Sequence, residues 1–262
     1  MGWVDIGVNL SNKQFNADRE QVLARARQAK IDTLILTGTD IGESQQVLAL
    51  SKQYPDLCVS TAGVHPHDAK SFVAEDLETL RGLLAEPEVV AVGECGLDYN
   101  RDFSPRPVQR DVLEQQLALA AELNMPVFLH ERDASDDLLA ILARWRDKIP
   151  NAVVHCFTGS EQALKSYLDL DLHIGITGWV CDERRGQELL SMTPLIPAGR
   201  LMLETDAPYL IPRDLKPKPK SRRNEPCYLP HIASRVAAER GETLDSLLAH
   251  TEKTSRTFFK LS

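Results

Sequence analysis

Short runs of apolar and β-branched residues recur along the chain, and segments with helical periodicity lie between most of them. Buried strands are predicted where these runs occur, at 3–8, 33–38, 58–64, 89–93, 126–130, 152–157, 172–177 and 200–205. Amphipathic helices are predicted at 17–30, 43–53, 107–123, 135–146, 160–169, 183–192, 228–240 and 243–259. Strands that alternate with helices in this way are typical of a parallel sheet.

Eight strand and helix units are the number that closes into a (β/α)8 TIM barrel, an α/β fold. The length of 262 residues and the hydrophobic content of 43% suit one domain of this kind. A doubly wound sheet more often has about six strands and a glycine-rich first turn, and this sequence has neither a GxGxxG motif nor a P-loop. Residues 1–262 are therefore predicted to form a single TIM-barrel domain.

Polar side chains follow the predicted strands at their C-terminal ends, which meet on one face of a barrel. They are Asn9, His65, His67, Glu94, Asp98, His130, Arg132, His155, Thr158, Trp179 and Asp206. Four of them come from separate strands and carry the imidazole or carboxylate groups that bind divalent metals. Glu94, His130, His155 and Asp206 are predicted to form a metal site with open positions for water and substrate, as in catalytic sites.

A bound cation would also explain why Glu94 and Asp98 follow an apolar run directly, since an unpaired carboxylate beside a core strand is costly. A single histidine at a strand end is more often a structural residue than a ligand. His173, His231 and His250 are interpreted as structural, because they lie outside the set of strand ends.

Composition limits the compartment and the partners. Five cysteines without CxxC spacing fit a reducing compartment, and the cytoplasm is predicted. The N-terminal segment is not that of a signal peptide, and no stretch is long and apolar enough for a membrane span, so no membrane association is expected. The net charge of -8 means that nucleic-acid binding requires a local basic surface. No obligate protein partner is evident, and a monomer is the default expectation.

Five motifs occur in order along nearly the whole chain: GVHPHD (63–68), GECGLD (93–98), MPVFLH (125–130), HCFTG (155–159) and ETDAPYL (204–210). With them, the chain resembles the TatD family of metal-dependent DNases within the amidohydrolase superfamily. The resemblance implies a TIM-barrel hydrolase acting on phosphodiesters, with Glu94, His130 and His155 as metal ligands and Asp206 as a ligand or an acid/base. It further implies a magnesium-dependent 3′-5′ exonuclease of single-stranded DNA and RNA, with a role in repair of oxidative DNA damage.

The chain departs from the family pattern after the first strand. The wider family has Asp-x-His-x-His, whereas this sequence has Asp5, Gly7 and Asn9 in the same register. Asn9 offers only a neutral amide oxygen to a second metal or to substrate, so one half of a two-metal site is expected to be weak. The site is expected to hold either one ion or two. Magnesium prefers oxygen ligands, whereas imidazoles suit manganese or zinc.

As a hypothesis, Asp206 orients or deprotonates the attacking water, and Glu94 holds the metal that activates it. His65 is predicted either to bind a second ion or to protonate the leaving 3′ oxygen, and a purely structural role is the alternative.

The segment 213–225 carries six cations and two carboxylates, and it is predicted to lie at the rim of the site. Arg132, Lys218, Arg222 and Arg223 are predicted to contact nucleic-acid phosphates. Trp179 is predicted to stack on an unpaired base. The alternatives are a solvated proline-rich loop and an aromatic ring that packs beneath a loop.

Two other functions stay open. The first is ester or amide hydrolysis, such as deacylation of D-aminoacyl-tRNA, although relatives of that kind usually keep the strand-one histidines and often carry a bridging lysine. The second is a non-catalytic binding barrel, against which the set of Glu94, His130, His155 and Asp206 argues.

Overall fold

The computed structural model describes residues 1–261, in which eight β-strands alternate with α-helices. The strands are β1 (Trp3–Val8), β2 (Ile31–Leu36), β3 (Cys58–Ala62), β4 (Val89–Asp98), β5 (Val127–Arg132), β6 (Ala152–Val154), β7 (His173–Ile176) and β8 (Leu201–Leu203). The helices are α1 (Arg19–Gln28), α2 (Ile41–Gln53), α3 (Ala74–Leu84), α4 (Arg106–Leu123), α5 (Ser135–Trp145), α6 (Glu161–Asp169), α7 (Gln187–Met192), α8 (Leu229–Arg240) and α9 (Leu244–Phe259).

The strands follow one another in a single sheet in the order β1 to β8. β1 is parallel to β2, β3 to β4, β4 to β5, β5 to β6 and β7 to β8. Val8, the last residue of β1, also bridges in parallel to Ala207, which follows β8. This arrangement is that of a (β/α)8 barrel, and the predicted fold class is confirmed.

Contacts along the chain group it into two compact units. The first unit contains residues 1–36, 156–158 and the chain from 174 onward, with β1, β2, β7 and β8; the second unit contains residues 37–155 and 159–173, with β3 to β6. Each contains fully buried apolar side chains, such as Ile6 and Ile176 in the first and Val92 and Phe128 in the second. That residues 1–262 form one domain stays a prediction.

Strand β4 is longer than the sequence pattern predicts. The apolar run ends at Gly93, but the strand continues to Asp98 and pairs with β5 along this extension, with Gly96 opposite His130 and Asp98 opposite Arg132. Glu94 and Asp98 therefore lie within the strand, and the prediction that they follow its end is wrong. The apolar pattern hides the extension because Glu94, Gly96 and Asp98 alternate with the buried Cys95 and Leu97.

Two helices differ from expectation. α3 was not among the predicted helices, and only Leu80 and Leu84 of its residues are buried, so its apolar pattern is short. α7 begins four residues later than predicted, because the Asp182 side chain accepts hydrogen bonds from the backbone N–H groups of Arg184 and Arg185 and holds them in a turn. Within residues 1–261, none of the helices combines the length and the apolar composition needed to cross a membrane.

Candidate metal centre

One oxygen of Glu94 contacts three imidazoles in the second unit. Glu94 Oε1 lies 2.7 Å from His155 Nε2, 3.0 Å from His130 Nδ1 and 3.3 Å from His65 Nε2. The Glu94 carboxylate is almost completely buried, with 8% of its side chain exposed. Imidazole nitrogens and a carboxylate oxygen held this close together are a typical set of metal ligands.

Two glycines allow β4 to bring Glu94 this close to β5. Gly93 and Gly96 flank Glu94 and Cys95 and have φ values of 138° and 148°, a region that L side chains rarely adopt. A Cβ atom at Gly93 would lie 2.3 Å from the carbonyl oxygen of Phe128, and one at Gly96 would lie 1.9 Å from that of His130. Any other residue at these positions would push β4 away from the strand that carries His130.

A second carboxylate extends the cluster. Asp98 Oδ2 lies 2.6 Å from His67 Nε2 and 3.3 Å from His130 Nε2, so His130 contacts Glu94 through one ring nitrogen and Asp98 through the other. Asp98 Oδ1 accepts backbone hydrogen bonds from Asn100 and Arg101, which fix the carboxylate. Sequence reasoning noted Asp98 and His67 at strand ends but gave them no role. Their signal is the spacing within HPHD and ECGLD.

Electrostatic interactions keep both carboxylates ionised. Burial alone would raise the pKa of Glu94, but His155 and His65 hold it well below its usual range. The pKa of Asp98 is also lowered, because hydrogen bonds from His130, the Arg101 backbone and His67 outweigh its burial. Burial lowers the pKa of His65 to about 4, so this imidazole is neutral at neutral pH. Anionic oxygens and neutral imidazole are the forms that bind a metal.

The donor atoms fit a divalent cation. One ligand atom each from His65, Glu94 and His130 lie within 4.8 Å of one another, and His155 contacts the same Glu94 oxygen. Three members of the predicted set (Glu94, His130 and His155) are therefore brought together, and His65 joins them. Imidazoles with one carboxylate suit zinc or manganese more closely than magnesium, which prefers oxygen ligands.

Asp206, the fourth predicted ligand, lies in the first unit, three residues after the end of β8. Its backbone N–H donates to the carbonyl of Gly7, 2.9 Å away, and its Oδ1 accepts a hydrogen bond of 2.9 Å from the Asn9 amide. The backbone at Asp206 has a φ of 54°, in the left-handed region. Gly7 in β1 and Asn9 just after it thus hold Asp206 in a fixed orientation, through its backbone and its carboxylate.

A groove of about 790 Å³ in the first unit collects cationic and aromatic side chains. Trp179 lies on its wall with the Arg185 guanidinium 4.6 Å from the centre of its ring. Lys218 and Arg222 line the same groove and are exposed, and no carboxylate in residues 1–261 forms an ion pair with either. We call this surface the basic groove; its polar and aromatic lining also includes Gln14, Asp182, Tyr209, Arg213 and Ser221.

Arg223 differs from Lys218 and Arg222. Its two terminal nitrogens each lie 2.7 Å from an oxygen of Asp18, and one also lies 2.7 Å from Glu225. Only 15% of its side chain is exposed. Two carboxylates already occupy its guanidinium, so the structure gives its phosphate contact no support and that contact stays a prediction. Arg132 ends β5 opposite Asp98, and its phosphate contact stays a prediction.

The barrel fold and the imidazole–carboxylate cluster define a metal-dependent barrel hydrolase. A family sequence model described as TatD related DNase matches residues 4–260. The chain therefore belongs to the TatD family, and the resemblance seen in its motifs is confirmed.

Individual relatives match over nearly their full lengths. A protein from Klebsiella pneumoniae (strain 342) named 3′-5′ ssDNA/RNA exonuclease TatD is 58% identical over 255 residues, covering 97% of each chain. The crystal structure of YJJV, a TatD homologue from Escherichia coli K12, has a TM-score of 0.90 at 29% identity and covers 99% of this chain and 98% of that one. A hydrolase of the TatD family from Entamoeba histolytica has a TM-score of 0.91 at 26% identity, covering 100% and 99%.

Proposed function

We propose that this protein is a metal-dependent 3′-5′ exonuclease that hydrolyses phosphodiester bonds of single-stranded DNA and RNA. The observation that carries the proposal is the buried Glu94 carboxylate in contact with three imidazoles. That donor set suits metal-assisted hydrolysis. The name of the Klebsiella pneumoniae relative supports this substrate class and this direction of digestion.

Glu94, His130 and His155 would hold the ion, with His65 as a further ligand. The ion supplies polarisation of the scissile phosphate and a lowered pKa for water. Glu94 Oε1 contacts all three imidazoles, which brings the donor atoms of these four side chains together around one point. For His65, the contact with Glu94 favours the ligand role over donation of a proton to the leaving 3′ oxygen.

Asp206 acts as the base in this proposal. Its carboxylate accepts the proton that water loses as it attacks phosphorus in line with the leaving 3′ oxygen. Asn9 and the Gly7 carbonyl hold Asp206 in place, which supports a role that requires a fixed carboxylate. Asn9 offers a second ion only a neutral amide oxygen, and Gly7 offers no side chain, so we propose that one tightly bound ion, rather than two, is sufficient.

The proposed metal is a divalent ion, and the three candidates are magnesium, manganese and zinc. Magnesium is proposed to support turnover, as the family resemblance implies, while manganese or zinc is proposed to bind more tightly because three of the ligands are imidazoles.

The basic groove is proposed to bind the substrate strand. Lys218 and Arg222 would contact phosphates, and Trp179 would stack on a base, a combination that binds single strands with little sequence preference. The role in repair of oxidative DNA damage and the cytoplasmic location belong to the same proposal.

The test is digestion of a 5′-labelled single-stranded oligonucleotide with magnesium, with manganese, or with EDTA. We expect products that shorten from the 3′ end and that disappear with EDTA and in the His130→Ala variant. His250→Ala is the matched control, because His250 lies on α9 and contacts Glu242; its digestion should equal that of the wild type.

Cleavage that survives both EDTA and His130→Ala would overturn the metal mechanism. If a folded, metal-loaded wild type cleaves neither DNA nor RNA, the nuclease assignment fails and ester or amide substrates become the next to test.

A further inference from the structure

A second group of metal-binding side chains lies in the first unit and shares no residue with the Glu94 cluster. Cys181 ends a short 3-10 helix (Gly178–Cys181), Asp214 lies in the segment after β8, and His231 lies in α8. One ligand atom from each of the three lies within 4.8 Å of the other two. Three segments that are distant in sequence therefore converge on one point.

The contacts of Asp214 are consistent with a carboxylate that binds through one oxygen. Asp214 Oδ1 lies 2.6 Å from His231 Nε2, and Oδ2 lies 3.2 Å from Arg235 Nε. Arg235 is one helical turn beyond His231 on α8, so both side chains lie on the same face of the helix. Arg235 thus forms an ion pair with the Asp214 oxygen that does not contact His231.

Cys181 supplies the ligand that sets this cluster apart from the Glu94 cluster. It is buried, with a relative exposure of 2%, whereas the side chains of Asp214 and His231 are exposed to 24% and 30%. Burial, followed by the charge of Asp214, raises the pKa of the Cys181 thiol, so it carries its proton when no cation is bound. A divalent ion displaces such a proton into solvent and balances the thiolate and the carboxylate.

We propose that Cys181, Asp214 and His231 bind one divalent transition-metal ion of the zinc type. Thiolate, imidazole and carboxylate are all zinc ligands, with bonds of about 2.0–2.3 Å that place neighbouring ligand atoms about 3–4 Å apart. The separations in the cluster need only small side-chain adjustments to reach that spacing. The exposed side of Asp214 and His231 gives an ion access and leaves the fourth position to water.

The ion would link two segments that line the basic groove, one next to Cys181 and one next to Asp214. Cys181 directly precedes Asp182, and Asp214 directly follows Arg213; both neighbours line the groove, and Arg213 Nη1 lies 3.3 Å from Asp182 Oδ2. A metal bond between the two segments would therefore act beside an existing ion pair. The proposal concerns metal binding in the folded chain and does not depend on nuclease activity.

Cobalt(II) substitution tests the site directly. A thiolate bound to cobalt gives an intense near-ultraviolet charge-transfer band, whereas the ligands of the Glu94 cluster are only imidazoles and carboxylates. We expect the band when the metal-free full chain is titrated with cobalt(II). It should be lost in Cys181→Ser and in His231→Ala, and kept in Cys227→Ser, a matched control for loss of a thiol, and in His130→Ala.

Zinc content gives a second readout that does not depend on the cobalt spectrum. After dialysis against zinc, His231→Ala should retain about one equivalent per chain fewer than His250→Ala. The circular dichroism of each variant checks that it is folded. The proposal is overturned if the folded wild type shows no band with excess cobalt, if the band survives Cys181→Ser, if it disappears in Cys95→Ser, or if the two histidine variants hold equal zinc.

Discussion

Asn9 donates a 2.9 Å hydrogen bond from its side-chain amide to Oδ1 of Asp206. The backbone reinforces this pair, because Asn9 N–H donates to the Ala207 carbonyl and Asp206 N–H donates to the Gly7 carbonyl. Asn9 stands where the wider family has a histidine after the first strand. The geometry thus favours a positioning role for Asn9 over the weak metal contact predicted from the sequence.

Replacement of Asn9 by alanine should lower kcat and leave KM nearly unchanged. A hydrogen bond to a charged group contributes about 1.5–3 kcal/mol, so the loss of orientation at Asp206 predicts a decrease in kcat of about 10- to 150-fold. Steady-state digestion of an oligonucleotide measures both constants. Asn12→Ala is the control, since Asn12 donates to the exposed Tyr209 hydroxyl. Normal kcat combined with the loss of a bound metal would instead make Asn9 a ligand.

Asp206→Asn should remove turnover and leave oligonucleotide binding intact. Asparagine is the appropriate replacement because it tolerates the left-handed backbone at this position, where φ is 54°, and keeps an oxygen for the Asn9 amide. Removal of a general base typically costs about 100- to 10,000-fold in rate. Single-turnover digestion and fluorescence anisotropy separate chemistry from binding. Turnover within a few fold of the wild type would exclude Asp206 as the base.

The candidate metal ligands could be predicted from the sequence only as single residues that follow or end strands. Glu94, His130 and His155 were identified because each follows or ends an apolar run, and a barrel brings strand ends together. The role of His65 as a contact of Glu94 was not fixed by this reasoning, because its position in the loop after β3 depends on hydrogen bonds such as the one from its N–H to the Thr39 carbonyl.

The basic segment contains a difference that the sequence alone does not reveal. Arg222 and Arg223 are adjacent and chemically identical, yet the first is exposed in the groove and the second is enclosed by carboxylates. The difference comes from Asp18, which is 205 positions away in sequence and whose side chain makes no capping bond at the start of α1. No local pattern can distinguish two neighbouring arginines when a distant carboxylate selects one of them.

Histidines that contact Glu94 and histidines that contact only Asp98 should respond differently to alanine substitution. His130→Ala removes a direct contact of Glu94 and should weaken manganese or zinc binding by at least about 100-fold, whereas His67→Ala removes only a partner of Asp98 and should cost about 10-fold. Competition with a fluorescent chelator gives both affinities. Equal effects in the two variants would place Asp98 and His67 among the ligands themselves.

Lys218 and Arg222 should control the salt dependence of oligonucleotide binding. Each phosphate contact that is removed lowers the slope of log affinity against log salt by about 0.7 for a single strand, so Lys218→Ala and Arg222→Ala should each do so. Arg223→Ala is the control, because the Arg223 guanidinium is already paired with Asp18 and Glu225. Its loss should lower thermal stability and leave the slope unchanged. If the slope changed only in Arg223→Ala, the phosphate contact would belong to Arg223 and not to Lys218 or Arg222.

Asp5 should make the unfolding free energy fall as pH rises. Asp5 is fully buried, and burial raises its pKa from 3.8 to about 8. Hydrogen bonds from the Thr205 hydroxyl (2.6 Å) and the Thr205 backbone N–H (2.8 Å) lower this pKa but do not outweigh burial. The folded protein therefore keeps a proton that the unfolded chain has lost. This contribution is fully present below pH 3.8 and is lost as pH rises toward about 8, with a slope of at most about 1.4 kcal/mol per pH unit.

Asp5→Asn removes this titration, because an amide binds no proton in that range. Urea unfolding in the presence of EDTA, at several pH values between 5 and 8, excludes the separate pH dependence of metal binding. The difference in unfolding free energy, wild type minus variant, should decrease steadily across that range. Glu86→Gln, an exposed surface carboxylate that pairs with Lys52, should leave the slope unchanged. Parallel curves for the wild type and Asp5→Asn would mean that Asp5 is ionised in the folded protein, with its charge balanced by the Thr205 hydrogen bonds.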